Sequence, residues 1–100
     1  MTVTTNLDGT RLTVKAEGKL GTTSTPEFEK AVKNNIKGVT ELVFDFGKLD
    51  YLASAGLRVL LSAAKVMENQ GSMKIINVTE PVMDVFTFTG MADFMDIEKL

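Results

Sequence analysis

The sequence predicts an α/β fold: a mixed β-sheet that opens with a β-hairpin, continues through a βαβ crossover, and carries helices packed on the sheet. Three observations predict it. First, Val3, Thr5 and Leu7, then Leu12, Val14 and Ala16, alternate with polar residues on either side of Asp8-Gly9. Period-two patterning on both sides of a DG turn marks a hairpin. Second, apolar residues recur at helical spacing through Phe28, Ala31, Val32 and Ile36, and again from Leu57 to Met67. Third, the short apolar runs Leu42-Val43-Phe44 and Met73 to Val78 read as buried strands.

Each element has a local reason. Gly18 to Thr25 reads as a polar loop. Ser24 with Glu27 three residues on matches a capping box, and Pro26 suits a first turn. A helix is predicted over 25–37, with Gly38 as its C-cap. Leu42–Phe46 is predicted as a central strand. The next helix runs from Ala55 to about Gln70. Leu57, Val59, Leu60, Leu61, Ala63, Ala64, Val66 and Met67 surround most of its circumference, which predicts a largely buried helix. Gly71 is read as its C-cap. After the strand Met73–Val78, Thr79-Glu80-Pro81 opens a third helix that buries Val82, Val85 and Phe86 and ends at Gly90. Phe94–Ile97 is a last short strand. The unit from Leu42–Phe46 to Met73–Val78 is expected to be a right-handed crossover with parallel strands. The six methionines are read as core filling.

Length and composition narrow the function. One hundred residues fit one domain, taken as 1–100, with enough chain for one core. The chain has neither Cys nor His. Disulfides, zinc–thiolate sites and thiol catalysis are excluded, and the commonest general base and metal ligand is missing. Such a chain can still be an enzyme, but only through carboxylates, Lys, Tyr or Ser, so catalysis is the less expected role, and no cofactor and no metal are expected. Thirteen acidic against eleven basic residues, with no basic run, argue against a nucleic-acid partner. Met1 to Asn6 lacks the charged and apolar parts of a signal peptide. The longest apolar stretch, Leu57 to Met67, is broken by Arg58 and Lys65 and is too short to span a bilayer. The expected location is cytoplasmic, with no membrane partner.

In parallel α/β units, functional groups gather where strand C-termini meet helix N-termini. Two places qualify: Ser54, and the loop with Thr22 and Ser24. A serine ahead of a helix can cap it, attack a substrate or accept a phosphate. The cap is the commoner role. Ala53, Ala55 and Gly56, however, strip bulk from around the hydroxyl and leave it open to a visiting active site. The stretch is not a G-x-S-x-G elbow, and no histidine exists to act as base. Phosphate suits the position, because a helix N-terminus offers free N–H donors and positive dipole. A phosphoserine carries about −1.5 to −2 charges. A partner docked over it would lose several kcal/mol; a ~4 kcal/mol penalty is almost a thousandfold in affinity. Asp45 and Asp50 could accept phosphate or hold Mg²⁺, but that role needs a cluster of acids, and loop capping is preferred. The Thr22-Thr23-Ser24-Thr25 cluster lacks the glycine spacing and lysine of a phosphate-binding loop, and capping is preferred there too.

Leu42-Val43-Phe44-Asp45-Phe46, Leu49-Asp50-Tyr51-Leu52 and Ala53-Ser54-Ala55-Gly56-Leu57-Arg58-Val59-Leu60 together resemble the signature of STAS domains, in particular bacterial anti-sigma factor antagonists. Glu17-Gly18-Lys19-Leu20-Gly21-Thr22-Thr23, before the Pro26 helix, is similar to the family's second marker. The resemblance covers nearly the whole chain. It implies partner switching: an anti-sigma factor with serine kinase activity phosphorylates the antagonist, a PP2C-type phosphatase reverses this, and the unmodified antagonist holds the kinase. By motif match the phosphoacceptor is Ser54. The implied contact surface is Leu20, Gly21, Thr22, Thr23 and Ser24, with Ala53, Ala55, Gly56 and Arg58. Two positions depart from the pattern: Ala53 stands where family members usually carry Asp or Ser, and Gly21 where Asp is frequent. The alternatives left open are a constitutive STAS scaffold or transport-complex subunit with Ser54 as a cap, a receiver-like domain using Asp45, and nucleotide binding by the Thr22–Thr25 loop.

Overall fold

The chain first reverses at Gly9-Thr10. Gly9 takes φ 62°, a left-handed conformation that a side chain resists. The turn joins β1 (Thr2–Asp8) to β2 (Arg11–Leu20) as an antiparallel hairpin with Asp8 opposite Arg11. From there a computed structural model, which describes residues 1–100, shows strands and helices in alternation. They are α1 (Thr25–Lys33), β3 (Glu41–Leu52), α2 (Ser54–Glu68), β4 (Ser72–Val78), α3 (Glu80–Thr89), a 3₁₀ turn (Met91–Asp93) and β5 (Asp96–Lys99). The five strands lie side by side in chain order. β2 and β3, β3 and β4, and β4 and β5 are parallel pairs, each joined by a helix. The mixed sheet, hairpin and crossover are those expected from the sequence.

One core of 22 buried residues holds sheet and helices together. β2 contributes Leu12, Val14 and Ala16, and β3 contributes Leu42, Phe44 and Phe46. α1 sets Phe28 and Val32 against them, α2 sets Leu57, Leu60, Ala63 and Met67, and α3 sets Val82 and Phe86. At its centre the rings of Phe28, Phe44 and Phe46 meet with centroids 5.7 to 6.3 Å apart and tilted planes, the geometry aromatic quadrupoles prefer. The opposite side of the sheet is mostly polar. Its ion pairs, Arg11–Glu41 and Lys48–Glu17 at 3.9 Å and Lys74–Glu98 at 4.0 Å, join partly exposed side chains, and each contributes at most about 1 kcal/mol.

Several boundaries differ from the sequence reading. β2 continues to Leu20, through residues read as loop, because two register shifts against β3 absorb Gly18, which sits at φ 94°. β3 runs on to Leu52, well past Phe46, still paired to β2. α1 stops at Lys33 with Asn34 as C-cap; Gly38 serves the later turn into β3 instead, at φ 79°. α2 is less buried than its composition suggests: Leu61 and Val66 are 39% and 40% exposed. Gly71 is not a helix cap. A Cβ there would overlap the Thr40 carbonyl, which accepts a hydrogen bond from the Ser72 N–H at 3.0 Å. Gly90 does close α3, in the left-handed conformation at φ 80°.

Candidate partner-docking site

Three backbone ends converge at the C-terminal end of two neighbouring inner strands: the close of β2, the close of β3 and the start of α2. The Ala53 N–H donates to the Leu20 carbonyl at 2.9 Å. That bond holds Ala53 in the extended N-cap conformation, φ −88° and ψ 165°. Ala53 is therefore the cap residue, and Ser54 is the first residue inside the helix. The capping role weighed for Ser54 is not taken: no side chain caps this helix, and the N–H groups of Ser54 and Ala55 have no acceptor within the chain, whereas the Gly56 N–H already donates to the Ala53 carbonyl at 3.0 Å. The Ser54 hydroxyl is exposed and makes no hydrogen bond within the chain.

Gly56 lets the helix approach so closely. It is buried, and a Cβ there would sit 2.8 Å from Leu52 Cδ1 and 3.0 Å from Leu20 Cγ and Cδ2. Leu20 is itself fully buried. Neither residue offers surface to a partner; both are moved from the expected contact set to its foundation. The small side chain at 56 is required by packing beneath Ser54, not by clearance above it. Ala53 and Ala55 are half-buried, and Arg58 is exposed one turn beyond Ser54, on the same helix face.

The neighbouring loop is held by its own hydroxyls. Ser24 Oγ accepts from the Gly21 N–H at 2.9 Å and donates to the Lys19 carbonyl at 2.9 Å. Thr25 Oγ1 donates to the Gly21 carbonyl at 2.7 Å, alongside the Thr25 N–H at 3.0 Å. The capping box read from Ser24 and Glu27 does not form. Ser24 lies at φ −94° and ψ −14°, already helical, and its oxygen is committed backwards to the loop. With Ser24 and Thr25 turned inward, Thr22 and Thr23 form the exposed tip.

One residue passed over in the sequence belongs to this surface. Tyr51 is 52% exposed, and its ring edge lies 3.9 Å from where a Gly21 Cβ would stand. The signal was present in Leu49-Asp50-Tyr51-Leu52: the two leucines are buried and the residues between them are not. The assembled surface is Tyr51, Gly21, Thr22, Thr23, Ser54, Ala55 and Arg58.

The two aspartates part company. Asp45 Oδ1 accepts from the Gly47 N–H at 3.0 Å and from Asn77 Nδ2 at 3.2 Å. This ties β3, where its register against β2 shifts, to Asn77, which is left-handed at φ 57°. Asp50 is exposed. They do not join a third acid in a metal-holding group. No helix is long and apolar enough to cross a membrane.

The family model for the STAS domain matches residues 2–99. The chain belongs to the STAS domain family. Among relatives of this STAS domain is the "putative anti-sigma factor antagonist BtrV" of Bordetella bronchiseptica; it is 37% identical over 62 residues, 61% of this chain and 53% of BtrV. The alignment thus spans about half of that relative. The anti-sigma-B factor antagonist of Staphylococcus epidermidis is 26% identical over 88 residues, 86% of this chain and 82% of that protein. The fold matches the anti-sigma factor antagonist SpoIIAA in its unphosphorylated form with a TM-score of 0.83 at 19% identity, over 96% of this chain and 87% of that one. It matches Bacillus SpoIIAA in the phosphorylated form with a TM-score of 0.75 at 17% identity, over 96% and 90%.

Proposed function

We propose that this STAS domain is an anti-sigma factor antagonist whose grip on its partner is set by reversible phosphorylation of Ser54. The partner is an anti-sigma factor that is also a serine kinase, and a PP2C-type phosphatase restores the bare serine. The domain acts as a binding module and performs no chemistry of its own. The observation that carries this reading is the state of Ser54: an exposed, uncommitted hydroxyl at the first turn of α2, beside a loop tip and a half-exposed tyrosine. The names of the relatives and the existence of SpoIIAA in both forms support the same reading.

The electrostatics run in one direction. Phosphate on Ser54 meets free N–H groups and the positive end of α2, so the fold accepts it. A partner seated over Tyr51, Thr22 and Arg58 meets roughly two negative charges it must desolvate. The modification thus lowers binding without unfolding the domain. Ala53 places no carboxylate beside the acceptor, so kinase recognition falls on the Gly21–Thr23 loop and Arg58.

The test is incubation with the cognate kinase and ATP, followed by mapping of the phosphate by mass spectrometry. Phosphate on the Ser54 peptide, lost on treatment with the phosphatase, supports the switch. A complex that forms with no modification at Ser54 would favour a constitutive scaffold, the reading that Ala53 and Gly21 in place of polar residues would suit.

A further inference from the structure

The two edges of the sheet are guarded very differently. β5 has four residues, three of them charged (Asp96, Glu98 and Lys99), and its register against β4 is irregular. Shortness, charge and irregularity are how natural sheets discourage edge pairing. β1 is neither short nor irregular, and its one charge, Asp8, stands at the end beside the turn. It is a seven-residue strand paired to β2 without a bulge, free of Pro and Lys, and uncharged from Thr2 to Leu7. Six of its seven residues are exposed.

The hairpin determines which backbone groups face outward. Asp8 and Arg11 flank the two-residue turn Gly9-Thr10, with Gly9 at φ 62°, the position where a two-residue hairpin turn is closed by a hydrogen-bonded pair. Antiparallel pairs alternate between bonded and unbonded, so Asp8, Asn6, Thr4 and Thr2 bond to β2. Val3, Thr5 and Leu7 then turn their N–H and C=O groups to the free edge.

The geometry points to a second copy of this chain as the occupant of that edge, with β1 paired antiparallel to β1 about a two-fold axis at Thr5. Such an axis stands perpendicular to the sheet, keeps the helices of both copies on one side, and brings Val3 opposite the partner copy's Leu7. Leu7 is 56% exposed, yet it lies on the helix-bearing side, opposite buried Leu12. Pairing would cover this apolar side chain with the copy's valine, which already packs against the core. Charge fits as well: the one carboxylate of the strand, Asp8, falls opposite Thr2 and not opposite itself. A foreign strand would have to match this apolar pair by chance, whereas a copy supplies it by symmetry. The resulting sheet has ten strands (two copies of five), and the two Ser54 surfaces lie at its opposite ends. This inference is independent of the proposed phosphorylation.

The test is sedimentation velocity of the full chain at concentrations up to ~100 µM, a range that detects micromolar pairing, with hydrogen exchange on the same samples. The expected result is a species of two chains in which the Val3, Thr5 and Leu7 amides exchange more slowly as concentration rises. Thr5→Pro deletes an N–H that the monomer does not use, and Leu7→Lys places charge at an exposed position. Each should weaken pairing at least ~10-fold while leaving the circular dichroism spectrum unchanged, and Leu7→Lys decides the matter if Thr5→Pro does not fold. A single-chain species throughout, or a dimer that both variants retain with unchanged β1 exchange, would overturn the proposal.

Discussion

The N–H of Ala53 donates to the carbonyl oxygen of Leu20 at 2.9 Å, so the end of β2 anchors the start of α2. Through that bond the loop after Leu20 and the hydroxyl of Ser54 share one rigid support. Neither can shift far without disturbing the other, so a partner reading one reads both.

Ser54 lies inside the helix and is not its cap, and this has a measurable consequence. Replacing a true N-cap serine by alanine costs about 1 kcal/mol. Ser54→Ala should cost less than ~0.5 kcal/mol in urea unfolding. Ser54→Asp should gain about 0.3–1 kcal/mol, since a carboxylate in the first turn opposes the dipole. A full capping loss in the alanine variant would return the hydroxyl to a structural role.

Gly56 carries the packing beneath the site. Gly56→Ala forces Leu52 and Leu20 aside, and overpacking of this kind costs about 1–3 kcal/mol. Chemical denaturation should show that loss. Fluctuation should rise at the Ala53–Leu20 bond, read as faster exchange of the Ala53 amide.

Tyr51 and Arg58 are exposed and support nothing in the core. Tyr51→Ala and Arg58→Ala should leave the melting temperature within a degree or two, yet weaken the complex with the anti-sigma factor. A tyrosine or arginine anchor loses over ~1 kcal/mol on truncation, roughly tenfold in affinity. Calorimetric titration of each variant gives the answer.

Asp45 behaves as a structural residue. Asp45→Ala removes the acceptor for the Gly47 N–H and Asn77 Nδ2 and should destabilise the fold by about 1–3 kcal/mol. Affinity per folded molecule should not change. Acid-labile phosphate on this residue would instead support the receiver-like alternative.

Much of this was legible beforehand because it rests on local pattern. Alternation around Asp8-Gly9 identified the hairpin, and Pro81 with Gly90 bracketed α3 closely. What escaped depends on contacts distant in sequence. β3 reaches Leu52, past the apolar run that ends at Phe46, because β2 pairs with it across two register shifts. Gly71 follows α2 where a helix-capping glycine would stand, but its reason is Thr40, a neighbour only in the fold. Ser54 falls one residue inside the helix because the Leu20 carbonyl, thirty-odd residues upstream, selects Ala53 as the cap. Leu20 and Gly56 looked like surface because they flank the motif; their burial follows from the way they meet under it.

The most direct measurement compares the affinity of the anti-sigma factor for this domain carrying either serine or genetically encoded phosphoserine at position 54. A loss of about a hundredfold or more, ~3 kcal/mol, with an unchanged circular dichroism spectrum, is the result predicted. Equal affinity of the two forms would contradict the account.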